Sequence, residues 1–198
     1  MTTARRATGL LSFASLAVAA ASLSMTVGCE NGWQTDPNAK AQANASASSA
    51  LDAQATATID RFRAKDPSID PFLRNAYAYA VFPSIGRGGL IVGGGGGDGV
   101  VFQGGQRVGT AKVAFGTIGA QVGGQTSSQI VAFQNEAAFN QFKANQLEFA
   151  ANASAVAATA GGAAAANYAN GVAVFAMPNA GLMLDASIGG QKFTYTPG

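Results

Sequence analysis

The segment with the clearest chemical pattern is a run of five consecutive glycines flanked by β-branched residues. Gly94, Gly96 and Gly99 match G-x-G-x-x-G, a spacing whose backbone N–H groups cradle a pyrophosphate in dinucleotide-binding proteins. That function also needs a helix directly after the glycines and an acidic residue about 20 positions later. Here Val and Phe residues that favour a strand follow Gly99, and the next acidic residue is Glu136. The pattern therefore favours a β-hairpin, with Asp98-Gly99 as a type I′ turn, over a nucleotide site.

The chain is poor in residues that perform catalysis or bind metals. It contains no His, which excludes Ser-His-Asp and Cys-His catalysis. Its one cysteine, Cys29, can form neither an intramolecular disulfide nor a cysteine-based zinc site. Charged residues make up 11% of the chain, and no two carboxylates are spaced for shared acid–base work. Ser84 lacks the pattern of a nucleophile elbow. We therefore expect a protein that is not an enzyme and that has no metal or cofactor.

The amino terminus has the features of an export signal. Arg5 and Arg6 precede an apolar stretch over residues 10–27, and Gly28-Cys29 closes it. This segment resembles a bacterial lipoprotein signal, with the box Thr-Val-Gly-Cys, and the resemblance implies cleavage before a lipidated Cys29. A transmembrane anchor is the alternative, but the stretch is close to the lower length limit of about 17 residues and contains several Ser residues. A free or buried cysteine is the other alternative.

Cleavage would change the charge balance of the chain. The precursor has 12 basic and 10 acidic residues, and the loss of Arg5 and Arg6 brings the two classes to equality. We expect no binding to nucleic acid, which requires clustered cations. Glu30 follows the cysteine, and the sorting preference of such lipoproteins then favours the outer membrane of a bacterium with two membranes. The predicted location is thus the cell envelope, with the lipid-anchored domain facing the periplasm.

The residues after Cys29 divide into a tether and two short helices. Residues 29–50 are mostly Ala, Asn, Gln and Ser and predict a flexible tether. Over residues 51–65 the apolar side chains recur at helical spacing and predict a short amphipathic helix; they are Leu51, Ala55, Ile59 and Phe62. An Asp-Pro pair ends this helix, and a second pair, Asp70-Pro71, predicts the N-cap of another helix that extends to about residue 77.

From residue 80 onward, short β-branched stretches separated by Gly, Asn and Pro predict strands. Gly104-Gly105 is placed to close a tight hairpin. Asn135 predicts the N-cap of a helix over residues 136–146. Residues 150–170 are too rich in Ala, Asn and Gly to separate helix from strand. The predicted strands are residues 80–82, 90–92, 100–103, 106–109, 112–116, 118–122, 127–133, 171–175, 181–187 and 191–196.

These elements predict an α+β protein with one folded domain. Its length of 198 residues suits a single core. The hairpin-like spacing of the strands favours a mainly antiparallel β-sheet or barrel-like domain with a few short helices. The expected order is a signal peptide over residues 1–28, a tether over residues 29–50 and the domain over residues 51–198.

The run AYAVFPSIGRGGLIVGGGGGDGVVF resembles the SYLF family, a lipid-binding domain of bacterial lipoproteins and of eukaryotic membrane-trafficking and actin-associated proteins. The positions that carry the resemblance are Ala78, Val81, Phe82, Pro83, Arg87, Gly89, Gly99, Val100 and Val101. Later segments, QVGGQTSSQIVAF, LEFAANASAVAATAG and AGLMLDASIGG, are similar to further family segments. The chain departs from the family pattern at two places: the usual Leu-Gly is Phe149-Ala150 here, and the usual Gly-Leu-Phe ends in Met183.

The resemblance implies lipid binding through the helix at the start of the domain. On this chain two apolar side chains would insert and three cations would meet phosphates; these are Ile59 and Phe62, and Arg61, Arg63 and Lys65. The alternative is that the apolar pair packs on the sheet while the cations are solvated. Arg87 is a second head-group candidate, or an ordinary turn residue. The expected function is that of a lipid-anchored envelope protein that binds membrane lipids; the alternative is a structural or adaptor protein with a protein partner, whose identity the sequence does not give.

Overall fold

A computed structural model describes residues 37–89, 92–118, 125–146, 155–157, 162–180 and 190–198. Three α-helices, a short 3₁₀ helix and seven strands occur in these residues. The helices are α1 (Pro37–Lys65), α2 (Ile69–Asn75) and α3 (Glu136–Lys143), and the 3₁₀ helix is Ala163–Ala165. The strands are β1 (Ala78–Gly89), β2 (Val92–Gln103), β3 (Gln106–Ile118), β4 (Gln125–Phe133), β5 (Ala155–Ala157), β6 (Val172–Ala180) and β7 (Lys192–Pro197).

The strands form one sheet in the order β5-β6-β4-β1-β2-β3-β7. Six strands pair antiparallel to their neighbours, and only the three-residue strand β5 is parallel, to β6. β1, β2 and β3 follow one another directly in the sequence and make the long centre of the sheet. The α+β class and the mainly antiparallel sheet are confirmed.

The sheet curls strongly about its central strands. Phe82 on β1 and Phe193 on β7 are separated by two intervening strands, yet their ring centroids lie only 5.7 Å apart. In a flat sheet, three strand spacings would separate them by about 14 Å. Gln191, next to β7, also donates from Nε2 to Gln129 Oε1 on β4, and Gln129 Nε2 donates to Gln191 Oε1 at 3.1 Å. The curl brings the last strand back towards the first half of the sheet.

Each face of the sheet covers a separate core cluster. The inner core lies inside the curl, where α3 contributes Phe139 and Phe142 and β7 contributes Phe193. The outer core lies on the opposite face, beneath α1 and α2, which contribute Phe62 and Leu73 among others. Successive side chains of a strand point to opposite faces of the sheet, so one strand contributes to both cores. On β1, Ala80 belongs to the inner core and Val81 to the outer core.

The glycine run is part of a strand, and the predicted turn at Asp98-Gly99 is wrong. β2 pairs with β3 without a break through all five glycines, and Asp98 pairs with Lys112, whose Nζ lies 2.6 Å from Asp98 Oδ1. The last described pair between β1 and β2 is Gly89↔Gly93, and residues 90–91 between the two strands lie outside the described residues. The predicted turn at Gly104-Gly105 is confirmed, with φ values of +58° and +80°.

The helices differ from their predicted ends. α1 begins at Pro37, so residues 37–50, which composition assigned to the tether, are helical, although all of them except Ser48 are exposed. Alanine favours helix strongly, and this propensity outweighed the scarcity of apolar residues. α2 begins at Ile69 after Ser68, so Asp70 lies in its first turn and is not its N-cap. The predicted cap at Asn135 is confirmed, because its side chain accepts from Ala138 N at 2.9 Å.

Several predicted strands can be compared directly. Residues 127–133 and 191–196 match β4 and β7 closely, and residues 106–109 and 112–116 are both part of the continuous strand β3. The strand predicted over residues 181–187 and most of that over residues 118–122 lie outside the described residues. Within residues 150–170, the structure describes a short strand, β5, and the 3₁₀ helix.

Candidate functional site

The predicted lipidation site, Cys29, lies outside the described residues, as does the whole of the predicted signal peptide. Lipidation therefore stays a prediction. Within the part of the chain that the structure describes, no helix is both long enough and apolar enough to cross a membrane.

The two predicted apolar anchors of α1 lie in the outer core. Phe62 is fully buried and Ile59 is 7% exposed. Both pack with side chains of the sheet, including Val81 and Ile130. This packing matches the alternative in which the pair packs on the sheet. In this conformation neither side chain is available for insertion into a membrane.

The three predicted cations of α1 are exposed. Arg61 and Arg63 follow each other at a spacing of two, so they leave the helix on opposite flanks of the buried Phe62. Lys65 lies in the last turn, where a cation also interacts favourably with the helix dipole. The structure therefore does not bring these three side chains into one cluster.

Arg61 joins a polar cluster that ties α1 to the sheet. Its Nη2 donates to Thr58 Oγ1 at 2.9 Å and to Ser128 Oγ at 3.1 Å, and its Nη1 donates to Asn179 Oδ1 at 3.2 Å. The buried Ser128 hydroxyl lies 2.7 Å from both Asn179 Oδ1 and the carbonyl oxygen of Pro83. Asn179 Nδ2 donates to the same carbonyl at 3.1 Å. Arg61 makes no ion pair with any described residue. The described acceptors of its guanidinium group are all neutral side chains.

Arg63 belongs to a different arrangement, a cleft of about 490 Å³ between α2 and the β2–β3 turn. Asp70 lines this cleft and accepts hydrogen bonds from two arginines. Its Oδ1 accepts from Arg63 Nε at 2.8 Å, and its Oδ2 accepts from Arg74 Nη1 at 2.6 Å. Tyr79, Gly104 and Gly105 also line the cleft. We call this arrangement the arginine cleft.

The guanidinium groups of the arginine cleft keep unused hydrogen-bond donors. Arg63 also donates from Nη1 to Asp60 Oδ1 at 3.2 Å. Nη2 of Arg63, and Nε and Nη2 of Arg74, make no hydrogen bond to any residue in the described ranges. The side chains of Arg63 and Arg74 are 47% and 68% exposed. These donors can therefore reach a ligand from solvent.

Tyr79 gives the arginine cleft a neutral polar group. Its ring stacks on Phe102 with a centroid distance of 5.3 Å. Partial burial raises the pKa of Tyr79, an effect that the positive charge of Arg63 opposes and the negative charge of Asp70 adds to. The phenol is therefore protonated at neutral pH, and its hydroxyl donates to no residue that the structure describes.

Arg87, the second predicted head-group residue, is half-buried near the end of β1, where it pairs with Gly95 of β2. Its guanidinium carbon lies 4.8 Å from the centroid of the Phe115 ring on β3. Gly95 on β2 pairs with both residues and so lies between them in the sheet. Because Gly95 has no side chain, the cation and the ring meet across it. The glycine run here serves close packing between neighbouring strands.

Sequence reasoning missed three members of the arginine cleft. It used Asp70 only as a helix cap and assigned no role to Arg74 or Tyr79. The i, i+4 spacing of Asp70 and Arg74 is a signal of an ion pair on a helix and could have been found. No sequence signal brings Tyr79 to them, since it lies on a strand and reaches the cleft only through packing of α2 against the sheet.

Comparison with known proteins gives two matches. Residues 114–196 match the model of a family described as "Ysc84: Las17-binding protein actin regulator". The chain is also 29% identical over 145 residues to a protein named Beta cell expansion factor A from Aeromonas veronii.

The second match covers 73% of this chain and 55% of the Aeromonas protein, so the chain spans about half the length of the relative that it matches. The family match covers the end of β3, then β4, α3 and the strands β5, β6 and β7. Both matches agree with the resemblance carried by the glycine-rich segment of β1 and β2. Residues 114–196 of this chain are thus similar to the Ysc84 (SYLF) domain family, and the Aeromonas protein is a weak relative of the same kind.

Proposed function

We propose that the protein is exported, anchored in the cell envelope by a lipid on Cys29, and binds a membrane face through its SYLF-family domain. In this proposal it is not an enzyme, and the outer membrane is its location. The support for export is the Arg-Arg, apolar and Gly-Cys pattern of residues 1–29. The support for lipid binding is the resemblance to the SYLF family, with the match over residues 114–196, together with the exposed cations of α1.

The observation that carries the proposal is the contrast between the two kinds of residue on α1. The apolar pair is buried under the helix, whereas Arg61, Arg63 and Lys65 are exposed. Contact with a membrane would thus be electrostatic and peripheral, without insertion of the helix. A cation near an anionic surface contributes about 1 kcal/mol, and salt screens this attraction over about 10 Å at 0.1 M.

The test uses the full mature chain with Cys29→Ser, so that a lipid on that residue does not hold the protein on vesicles. We expect this protein to co-sediment with phosphatidylglycerol vesicles at low salt, to be released at high salt and to ignore phosphatidylcholine vesicles. Replacing Arg61, Arg63 and Lys65 together by Gln should weaken binding strongly. Gln at Lys40, Lys112 and Lys192 is the control, since it removes the same charge elsewhere. Failure of every vesicle to retain the protein, or equal losses in the two triple variants, would contradict the proposal.

The anchor has its own test. The mass of the mature protein from cells should correspond to a chain that begins at a diacylated Cys29. A mass that includes Met1 would overturn the proposed topology while leaving the vesicle result intact.

The alternative is an adaptor that the anchor places beside a protein partner. The description of the matching family, which names Las17 binding and actin regulation for its member, favours a protein partner of some kind. Crosslinking in cells discriminates between the two. One stoichiometric protein partner together with no vesicle binding would favour the adaptor.

A further inference from the structure

We infer that the arginine cleft is a binding site for a phosphate group, with Arg63, Arg74 and Tyr79 as its hydrogen-bond donors. The inference deepens the proposed membrane function and rests on it in part, because Arg63 belongs both to the exposed cations of α1 and to the arginine cleft. It adds a defined site and names Arg74 and Tyr79, which lie outside α1, as ligand-binding residues.

The geometry of the guanidinium groups is the first argument. Asp70 holds Arg63 by Nε and Arg74 by Nη1, so both side chains are oriented before a ligand arrives. Each retains an Nη2 group that bonds no described residue, and these groups carry paired N–H donors suited to phosphate oxygens. A prearranged pair of arginines loses little side-chain entropy when it binds a ligand.

The charge of the site is the second argument. The three ionised side chains that line the cleft are two arginines and one aspartate, so the lining has an excess of one positive charge. Both oxygens of Asp70 already accept hydrogen bonds, which reduces its repulsion of an anion. Asp60 does not line the cleft but pairs with Arg63 at 3.2 Å; 64% of its side chain is exposed, so water screens its charge.

The shape and the neutral donor are the third argument. Gly104 and Gly105 also line the cleft, and a Cβ at either position would meet nothing within 4 Å. The space beside these glycines leaves room for the group to which a phosphate is attached. The protonated Tyr79 hydroxyl supplies a further donor beside the two cations.

The test follows the Arg63 Nε–Hε signal by NMR in the full mature Cys29→Ser chain during titration with inorganic phosphate and with glycerol 3-phosphate. We expect a saturable shift. Arg74→Gln should weaken the affinity about 10-fold or more, because it removes charged hydrogen bonds, and Tyr79→Phe about fivefold. Lys192→Gln, an exposed cation on β7, is the control and should leave the affinity unchanged. Arg74→Gln should also keep the unfolding midpoint, because its side chain is largely exposed.

Vesicles distinguish the source of the phosphate. If phosphatidylglycerol vesicles and glycerol 3-phosphate both bind and Arg74→Gln weakens both, the site takes a lipid head group. If only the soluble phosphates bind, the cleft serves a soluble phosphate compound, and the membrane proposal fails while this inference stands. If vesicles bind but neither phosphate shifts Arg63, or if Arg74→Gln and Lys192→Gln behave alike, the inference is overturned and the membrane proposal survives.

Discussion

Gly95 lies directly beneath the ring of Phe115. A Cβ atom built on residue 95 would stand 2.4 Å from Phe115 Cζ and 2.1 Å from the carbonyl oxygen of Gly86. The ring occupies the space that a side chain would take, and Arg87 packs over the same ring. The absence of a side chain at this position is therefore a packing requirement of the sheet.

Replacing Gly95 by Ala should destabilise the domain. The added methyl must displace a buried ring and neighbouring backbone, and such overpacking costs about 1–3 kcal/mol. Urea unfolding followed by circular dichroism measures the free energy of unfolding. Gly88→Ala on β1 is the matched control, since its Cβ would meet nothing within 4 Å, and it should stay within about 0.5 kcal/mol of the wild type. Equal free energies for the two variants would show that Phe115 does not restrict residue 95.

Arg61 and Ser128 should be energetically coupled. Arg61→Gln removes the donor to Ser128 Oγ, while Ser128→Ala removes the hydroxyl near the Pro83 carbonyl. Residues of one hydrogen-bond network couple by about 0.5–3 kcal/mol in a double-mutant cycle. The cycle of Arg61→Gln and Ser128→Ala, measured by urea unfolding, should therefore be non-additive. A cycle of Lys40→Gln with Ser128→Ala should be additive. Additivity in both cycles would show that Arg61 and Ser128 are not energetically coupled.

Truncation of the Phe62 side chain should lower the free energy of unfolding, because the ring is buried. Phe62→Ala removes a fully buried ring from the outer core and should cost about 3–5 kcal/mol of unfolding free energy. Lys65→Ala, three residues later on the same helix and exposed, should change stability by less than about 0.5 kcal/mol. A small effect of Phe62→Ala on the free protein would indicate that α1 does not rest on the sheet in solution.

Alkaline pH should destabilise the protein partly through Tyr79. Burial raises the pKa of Tyr79 in the folded state, so the folded protein holds this proton more tightly than the unfolded chain does. The stabilising contribution is complete below the unfolded pKa of about 10 and is lost as the pH rises through the folded pKa. In urea unfolding between about pH 9 and pH 11, Tyr79→Phe should lose less stability than the wild type. Tyr168, whose pKa burial also raises, should give the same result when changed to Phe.

Local signals in the sequence were sufficient for much of the fold. The Gly104-Gly105 turn and the Asn135 cap were predicted correctly because each depends on the conformational preference of the residues themselves. The Asp98-Gly99 turn was predicted on the same kind of signal and is wrong. Asp98 pairs across the sheet with Lys112, and Phe82 covers Gly99, so contacts between strands decided the conformation there.

The candidate site was predictable only in part. Arg63 was predicted as a lipid-binding residue because the resemblance to the SYLF family implies such residues on the first helix of the domain. The remaining members of the arginine cleft come from α2, β1 and the β2–β3 turn, and only tertiary packing brings them together. The polar cluster at Arg61 has the same character, because Asn179 lies 118 residues away in the sequence.

The curl of the sheet has a consequence for how the domain forms. The inner core includes Phe193, which packs on Phe82 and Phe142, and β7 pairs with β3 from Gly109↔Pro197 to Ala114↔Lys192. Contacts between such distant segments form slowly, because the chain must close a long loop before they stabilise it. A chain interrupted before residue 193 would leave aromatic side chains of the inner core in contact with water. Completion of the fold therefore waits for synthesis of the last strand, and partial chains are expected to be open to proteases and chaperones until then.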